Sequence, residues 1–162
     1  AVGKTTVGRL LADSLGMQFY DTDKEVECRA GADIGWIFDV EGESGFRDRE
    51  QCVVDDLTQK QGVVLATGGG VILRDCNRKA LAARGIVIHL DSSVRRLVER
   101  TRNDRKRPLL QQGNAMETLT RLKAERGPLY DEIADYRFVT DKQGPKVLAA
   151  AIERRLRKDH VI

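Results

Sequence analysis

The chain begins Ala1-Val2-Gly3-Lys4-Thr5-Thr6, and this stretch decides which fold the rest of the sequence must satisfy. It matches the second half of the phosphate-binding pattern G-x-x-x-x-G-K-[ST], without the first glycine of that pattern. In such a loop, backbone N–H groups point at phosphate, the lysine reaches the β and γ phosphates, and the hydroxyl binds Mg²⁺. Gly3, Lys4 and Thr5 occupy those places. A short G-K-T also arises by chance before an ordinary helix, so residues later in the chain are needed to distinguish a phosphate-binding loop from a chance match.

Outward from this start, predicted helices and strands alternate along the chain. Apolar residues recur at helical spacing from Lys4 to Leu15 and stop at Gly16, which predicts a first helix. Short apolar runs bounded by glycine predict buried parallel strands. The strands are expected at 17–20, 63–66, 86–90 and 137–140, and the further helices at 23–30, 34–61 with a break near 41–42, 75–84, 93–102, 115–125, 128–134 and from 145 onward. This alternation predicts a doubly wound α/β fold.

Composition narrows the class of protein. A chain of 162 residues fits one domain that buries a core without disulfide or metal staples. The charged fraction of 33% and the apolar fraction of 41% are typical of a soluble globular protein. The net charge of +3 is too small for the whole molecule to attract anions, so local basic clusters must do so. Phosphate ligands therefore fit better than long nucleic acid.

The cysteines and the apolar runs indicate a cellular compartment. Cys28, Cys52 and Cys76 show no C-x-x-C pairing, which argues against a disulfide framework and a zinc site and favours a reducing cytoplasm. No apolar run approaches the roughly 20 residues that a membrane helix needs. The first residues also lack the basic and then apolar pattern of a signal peptide.

Two carboxylates stand at a predicted strand end, in Phe19-Tyr20-Asp21-Thr22-Asp23. Alternation along a strand would point Asp21 and Asp23 to the same side, at the sheet edge where ligands bind. One carboxylate would then support hydrated Mg²⁺ while the other accepts a hydrogen bond from a hydroxyl. The alternative is that one of them caps the next helix, and for an isolated D-x-D this is the more frequent outcome.

A run of three glycines, Thr67-Gly68-Gly69-Gly70, follows directly after the predicted strand at 63–66. Glycines in such a place let the backbone approach a ligand without interference from Cβ atoms. A flexible turn is the alternative, but a turn needs only one or two glycines. The run therefore favours close contact with a ligand.

Basic residues occur in three further places. Arg47 lies in Gly45-Phe46-Arg47-Asp48-Arg49-Glu50, and Arg126 begins Arg126-Gly127-Pro128-Leu129-Tyr130. A guanidinium fork at either place could hold a carboxylate, although surface ion pairing explains each one equally well. The segment 100–110 concentrates five basic residues without aromatic ones. This pattern favours a lid over nucleotide phosphates rather than a nucleic-acid patch.

Taken in order, G-K-T, F-x-D-x-D, G-F-R-x-x-E, T-G-G-G, R-P-L-L, R-x-P-L-Y and a late D-x-x-x-P resemble the shikimate kinase family along all 162 residues. The segments 33–38 (DIGWIF) and 132–135 (EIAD) resemble the bacterial enzymes in particular. The resemblance implies one P-loop kinase domain over 1–162. It also implies a shikimate-binding region at about 20–50, a lid at about 103–113 and an adenine loop at about 141–145.

The family fold implied by the resemblance is a three-layer α/β/α sandwich with a parallel sheet of order 2-3-1-4-5. Strand 1 and the first loop glycine would precede Ala1, so we expect that the chain is incomplete and that a slot lies between strands 3 and 4. The implied reaction transfers the γ-phosphoryl group of ATP to the 3-hydroxyl of shikimate, in chorismate and aromatic amino acid biosynthesis. ATP, Mg²⁺ and shikimate are the implied ligands of a cytoplasmic monomer without nucleic-acid or membrane partners.

The resemblance also implies roles for individual residues. The catalytic residues are Lys4 on the transferring phosphate, Asp23 on the acceptor hydroxyl and Arg107 from the lid. The implied nucleotide contacts are Ala1, Val2, Gly3, Lys4, Thr5, Thr6, Arg100, Arg107 and Gln143. Shikimate is expected at Asp23, Arg47, Gly69 and Arg126, and Mg²⁺ at Thr5 and Asp21. We expect Lys4, Asp23, Arg47, Gly69 and Arg126 in one cleft at the carboxyl edge of the sheet.

Two other functions stay open. A gluconate-type or nucleoside monophosphate kinase would share the loop and the lid. The combination of Arg47, Arg126 and Asp23 with three glycines suits a small carboxylated polyol better than a second nucleotide. The other alternative is a nucleotide-binding paralogue without catalysis. The presence of every polar residue that the motifs require argues against it. A turnover assay distinguishes these functions.

Overall fold

A computed structural model describes residues 4–91, 115–140 and 143–162. The predictions for Ala1 to Gly3, Arg100, Arg107, the helix at 93–102 and the lid at 103–113 lie outside these residues, as does the start of the 141–145 loop. The described elements, in chain order, are α1 (Lys4–Leu15), β1 (Gln18–Asp21), α2 (Thr22–Ala30), α3 (Ile34–Leu57), β2 (Val63–Ala66), a 3₁₀ helix (Gly69–Leu73), α4 (Asp75–Arg84), β3 (Ile88–Asp91), α5 (Ala115–Ile133), β4 (Tyr136–Val139) and α6 (Pro145–Lys158).

The strands form two parallel pairs. Strand β1 pairs with β2, so that Asp21 lies opposite Ala66, and β3 pairs with β4, so that Asp91 lies opposite Val139. The pair β1 and β2 corresponds to family strands 2 and 3, and the pair β3 and β4 to family strands 4 and 5. In the order 2-3-1-4-5 these two pairs lie on either side of the central strand. Among the described residues, β2 and β3 do not pair with each other, and both line a cavity of about 1080 Å³.

Apolar side chains pack on both faces of these strands. Leu11 of α1 and Ile152 of α6 belong to a buried cluster against which Ile88 and Leu90 of β3 pack. Because side chains alternate along a strand, His89 points to the opposite face, where it stacks on Tyr130 of α5. Strand β3 therefore lies between α1 and α6 on one face and α5 on the other, as in a three-layer α/β/α arrangement.

A second group of apolar contacts fixes the helices beside β1 and β2. Val26 of α2 packs with Ile37, Phe46 and Val53 of α3 in a buried cluster. Helix α3 bends at Gly42, whose φ of 75° and ψ of 176° are not helical, at the predicted break. The helix ends at Leu57 rather than at 61, because residues 58–62 form the turn into β2, with Gly62 at a φ of 66°.

Helix α5 differs from its prediction. Two helices were expected, at 115–125 and 128–134, because proline has no N–H and crowds the preceding turn. The structure shows one helix from Ala115 to Ile133 with Pro128 inside it. Leu119 is buried in the first half, while Leu129 and Ile133 in the second half pack against the cluster of Val54, Val71 and Ile72. Tertiary packing on both sides of the proline therefore overrides the local signal.

No helix in the three described ranges combines the length and the apolar character that a bilayer crossing needs.

Candidate active site

Polar side chains gather where β1 and β2 end and where α1 begins. Lys4 and Thr5 open α1, Asp21 ends β1, and the glycine run follows β2. One cavity is lined by seven of the predicted site residues, namely Lys4, Thr5, Asp21, Asp23, Arg47, Gly69 and Arg126. Of the predicted nucleotide contacts that the structure describes, Thr6 and Gln143 are exposed and do not line this cavity.

Asp21 uses its two carboxylate oxygens for different purposes. Its Oδ1 accepts hydrogen bonds from the backbone N–H groups of Asp23 at 2.9 Å and Lys24 at 3.3 Å, which caps α2. Its Oδ2 accepts a hydrogen bond from the Thr5 hydroxyl at 2.8 Å. Capping and a ligand-facing position were alternatives in the sequence, but the structure combines them in one side chain.

The paired oxygens of Thr5 and Asp21 suit Mg²⁺. This ion prefers hard oxygen ligands and keeps several waters, because it dehydrates reluctantly. Among the described residues there is no group of three or more His, Cys, Asp or Glu side chains that could hold a metal by itself. The residues therefore fit an ion held jointly by one or two protein oxygens, water and substrate phosphates, rather than a protein cage.

Asp23 reaches the cavity in a different way from the predicted one. Strand β1 ends at Asp21, so Asp23 lies in the first turn of α2, and strand alternation does not orient it. Its carboxylate instead lies against Gly68, where a Cβ atom would stand only 2.7 Å from Oδ1. The Gly68 N–H donates a hydrogen bond to the Thr22 hydroxyl at 3.2 Å. The first turn of α2 thus packs directly on the glycine run.

Two guanidinium groups flank the next two glycines. A Cβ atom on Gly69 would lie 3.4 Å from Nη1 of Arg126, and one on Gly70 would lie 2.6 Å from Cζ of Arg47. The absence of side chains therefore lets both arginines approach the same backbone segment. Arg47 and Arg126 come from different helices, α3 and α5, and meet at this segment.

Arg47 is held by carboxylates of its own helix. Its side chain is buried, and Nη1 donates to Oε1 of Glu50 at 2.9 Å while Nη2 lies 3.4 Å from Oε1 of Glu43. Burial raises the pKa of the fully buried Glu50 carboxyl above its ordinary value, and the positive charge of Arg47 opposes this shift. Asp23 raises the same pKa further and Arg126 lowers it. Glu50 therefore interacts with the charges on both sides of the site.

The sequence prediction assigned no role to Glu50, although one signal was present. In G-F-R-x-x-E the arginine and the glutamate are three residues apart, which places them on one helix face. Tyr130, which ends the R-x-P-L-Y pattern, likewise had no predicted role. Its hydroxyl donates a hydrogen bond to the Gly69 carbonyl, and its ring stacks on the imidazole of His89.

We expect Gly70→Ala to lower the free energy of unfolding by about 1–3 kcal/mol, because its Cβ atom would overlap the guanidinium that Glu50 holds in place. Urea denaturation measures this change. Gly85→Ala is a matched control, since Gly85 has extended backbone and its Cβ atom would meet nothing closer than 4.0 Å. Equal stabilities of the two variants would contradict the close approach at Gly70.

Comparison with known proteins gives consistent results. A family model described as "Shikimate kinase" matches residues 1–157. The chain is 53% identical over 154 residues to a shikimate kinase from Vibrio parahaemolyticus, covering 95% of this chain and 90% of that protein. It is 57% identical over 150 residues to one from Actinobacillus pleuropneumoniae, covering 93% of this chain and 87% of that protein.

Solved structures give the same family. A shikimate kinase from Acinetobacter baumannii, solved in complex with shikimate, superposes with a TM-score of 0.95 at 46% sequence identity, over 98% of this chain and 88% of that one. The enzyme from Aquifex aeolicus superposes with a TM-score of 0.85 at 33% identity, over 98% of this chain and 92% of that one.

Proposed function

The chain belongs to the shikimate kinase family, and from this membership we propose how its residues transfer the γ-phosphoryl group of ATP to the 3-hydroxyl of shikimate. The observation that carries the proposal is the meeting of Arg47, Arg126 and Asp23 at the three consecutive glycines. Two cations and one carboxylate on a surface without side chains suit a small acceptor that bears both a carboxylate and hydroxyl groups.

On the acceptor side, Arg47 and Arg126 bind the shikimate carboxylate. Guanidinium groups bind carboxylates through charge-assisted and often bidentate hydrogen bonds. Asp23 accepts hydrogen bonds from ring hydroxyls, and Gly69 contributes backbone contacts to the ring. The support is the short separation of these groups from one backbone segment and their shared cavity.

On the nucleotide side, Lys4 and Thr5 begin a helix whose N-terminal N–H groups favour phosphate. We assign the nucleotide phosphates to the segment from Ala1 to Thr6 and to Arg107, and the adenine side to Arg100 and Gln143. Thr5 and Asp21 would hold Mg²⁺, which when bound neutralises charge on the β and γ phosphate oxygens.

The transfer itself depends on positioning and on charge. Phosphoryl transfer asks for little covalent chemistry from the protein, so most of the rate comes from alignment and from stabilised charge. Lys4 and Arg107 stabilise the oxygens of the transferring group. Asp23 orients the acceptor hydroxyl and takes its proton as transfer proceeds.

We further propose that residues 1–162 act as one domain, as a monomer in the cytoplasm. The proposal rests on α1, α2, α3 and α5 of a single chain, which together supply the described groups of both subsites. Cys28, Cys52 and Cys76 are exposed and form no disulfide, which fits a reducing compartment.

A turnover assay tests the function. ADP release is measured with shikimate, gluconate and AMP in turn as acceptors at saturating ATP and Mg²⁺, and the product is analysed by NMR for the position of the phosphate. We expect shikimate to give the highest kcat/KM and the phosphate to lie on the 3-hydroxyl. Preference for gluconate or AMP would overturn the acceptor assignment, and tight ATP binding without turnover would indicate a paralogue without catalysis.

We expect Arg126→Ala to raise the KM for shikimate by about 10–100-fold, since a charge-assisted hydrogen bond to a carboxylate contributes about 1.5–3 kcal/mol. The KM for ATP should change by less than about twofold. Steady-state kinetics with each substrate varied separately measures both. Arg121→Ala removes the same charge from an exposed position on the same helix and serves as the control. An unchanged KM for shikimate in Arg126→Ala would contradict the carboxylate assignment.

A further inference from the structure

A histidine that the proposed reaction does not use lies beside the acceptor site. His89 is in β3, on the strand face opposite the one on which Ile88 and Leu90 pack, and it is half-buried. Its ring stacks on the ring of Tyr130, with centroids 4.7 Å apart and planes inclined by 28°. Stacked aromatic pairs in this geometry contribute beyond simple burial.

The stack connects His89 to the acceptor site through one residue. The Tyr130 hydroxyl donates a hydrogen bond to the Gly69 carbonyl. Arg126 precedes Tyr130 by one helical turn, so both side chains leave α5 on the same face. A Cβ atom on Gly69 would stand 3.2 Å from the Tyr130 hydroxyl and 3.4 Å from Nη1 of Arg126. Tyr130 and Arg126 therefore approach the same glycine, which we assign to shikimate together with the arginine.

We propose that His89 is a positioning residue of the acceptor site. Its neutral ring fixes Tyr130, and Tyr130 in turn holds Gly69 and the adjacent turn of α5, with Arg126, in the geometry that binds the acceptor carboxylate. This proposal rests on the proposed function, and it adds a residue that acts on the acceptor site through Tyr130.

The surroundings of His89 favour the neutral ring. Its Nδ1 atom is buried and has no hydrogen-bond partner among the described residues. Burial is the largest cause that lowers the pKa of His89 below its ordinary value, and the positive charges of Arg137 from β4 and Lys4 from α1 lower it as well. Asp91 on the same strand and Asp131 on α5 oppose the shift. Asp91 is itself paired with Arg137 and Lys123, which reduces its influence.

The test first establishes that the parent enzyme phosphorylates shikimate, so that a failure of the proposed function is seen separately. We then expect His89→Ala to raise the KM for shikimate by about 3–10-fold, from the loss of the stacked ring, and to change the KM for ATP by less than about twofold. His89→Phe keeps a ring in the stack and should restore the parent KM within about twofold. Should His89→Ala not fold, His89→Leu removes the aromatic ring while it keeps most of the volume.

A double variant tests the route through Tyr130. If His89 acts by fixing the Tyr130 hydroxyl, His89→Ala combined with Tyr130→Phe should raise the KM for shikimate no further than the larger of the two single effects. Multiplied effects would overturn the proposal. Leu90→Ala is the control for a purely structural effect, because it deletes the neighbouring side chain on the other face of the same strand. An equal rise of the KM for shikimate in Leu90→Ala would also overturn the proposal.

The pH dependence of protein stability tests the charge state of His89 separately. Because its pKa in the folded protein lies below the ordinary value of 6.5, the unfolded chain binds the proton first as the pH falls through 6.5. The parent should therefore lose stability relative to His89→Phe from pH 6.5 downward, until the folded-state pKa is reached. Urea denaturation of both proteins between pH 7.5 and 5 measures the difference. If the stability of both proteins depends on pH in the same way, the His89 ring is not held neutral and this part of the proposal is wrong.

Discussion

Replacement of Lys4 by Met should lower kcat by about 10²–10³-fold, the usual loss when one preorganised electrostatic donor is removed from a transition state. Lys4 opens α1, lines the same cavity as Asp21 and Asp23, and its charge lowers the pKa of His89. Methionine keeps the unbranched stem of the side chain but has no charge to place against the transferring phosphoryl oxygens. The KM for shikimate should change much less, because the arginines that bind its carboxylate are intact.

Steady-state kinetics with Lys79→Met as the control checks this expectation. Lys79 is an exposed lysine on α4 that pairs with Asp75, so its removal changes the net charge by the same amount away from the cavity. A kcat of Lys4→Met within tenfold of the parent, or an equal loss in Lys79→Met, would contradict the assigned role of Lys4.

The second large effect is expected for Asp23→Asn. Proton transfer by a positioned side chain contributes about 10²–10⁴-fold to the rate, and an asparagine cannot accept the proton of the acceptor hydroxyl. We therefore expect kcat to fall by about that factor while the KM for shikimate rises by less than about tenfold. The amide is isosteric, so the contact with Gly68 remains, and α2 remains capped by Asp21.

Asp33→Asn is the matched control for this variant. Asp33 is exposed and caps α3 through a hydrogen bond from the Trp36 N–H at 2.8 Å, and asparagine caps helices about as well as aspartate. We expect its kcat to stay within about twofold of the parent. If Asp23→Asn instead raises the KM for shikimate and leaves kcat unchanged, Asp23 binds the acceptor without taking part in the transfer.

Several elements could be predicted from the sequence because their signals are local. Helices α1 and α4 and strand β2 lie at their predicted bounds, since apolar spacing and glycine stops mark them. The path of α5 through Pro128 could not be predicted, because it depends on packing against Val54, Val71 and Ile72, which lie far away in the sequence. Tertiary contacts there outweigh the preference of the local sequence.

The same division holds for the site. The sequence motifs predicted five site residues that the structure places around one cavity, namely Lys4, Asp23, Arg47, Gly69 and Arg126. The spacing in G-F-R-x-x-E indicates that Glu50 can pair with Arg47, but it does not predict that Glu50 is buried. That burial and the stack of His89 on Tyr130 arise only when α3, β3 and α5 are packed together.

Position 21 is expected to tolerate few replacements, because the Asp21 side chain both caps a helix and faces Thr5. Asparagine, serine or threonine would still cap α2, but each would lack the second charged oxygen that faces Thr5. Glutamate would keep the charge, but its longer side chain is not among the preferred caps. Aspartate alone meets both demands, so a survey of all substitutions should find this position far less permissive than Asp33, which only caps a helix. Such variants could lose activity either because α2 frays or because the charge beside Thr5 is missing. Asp21→Asn keeps the cap of α2, so its loss of activity would report the missing charge alone.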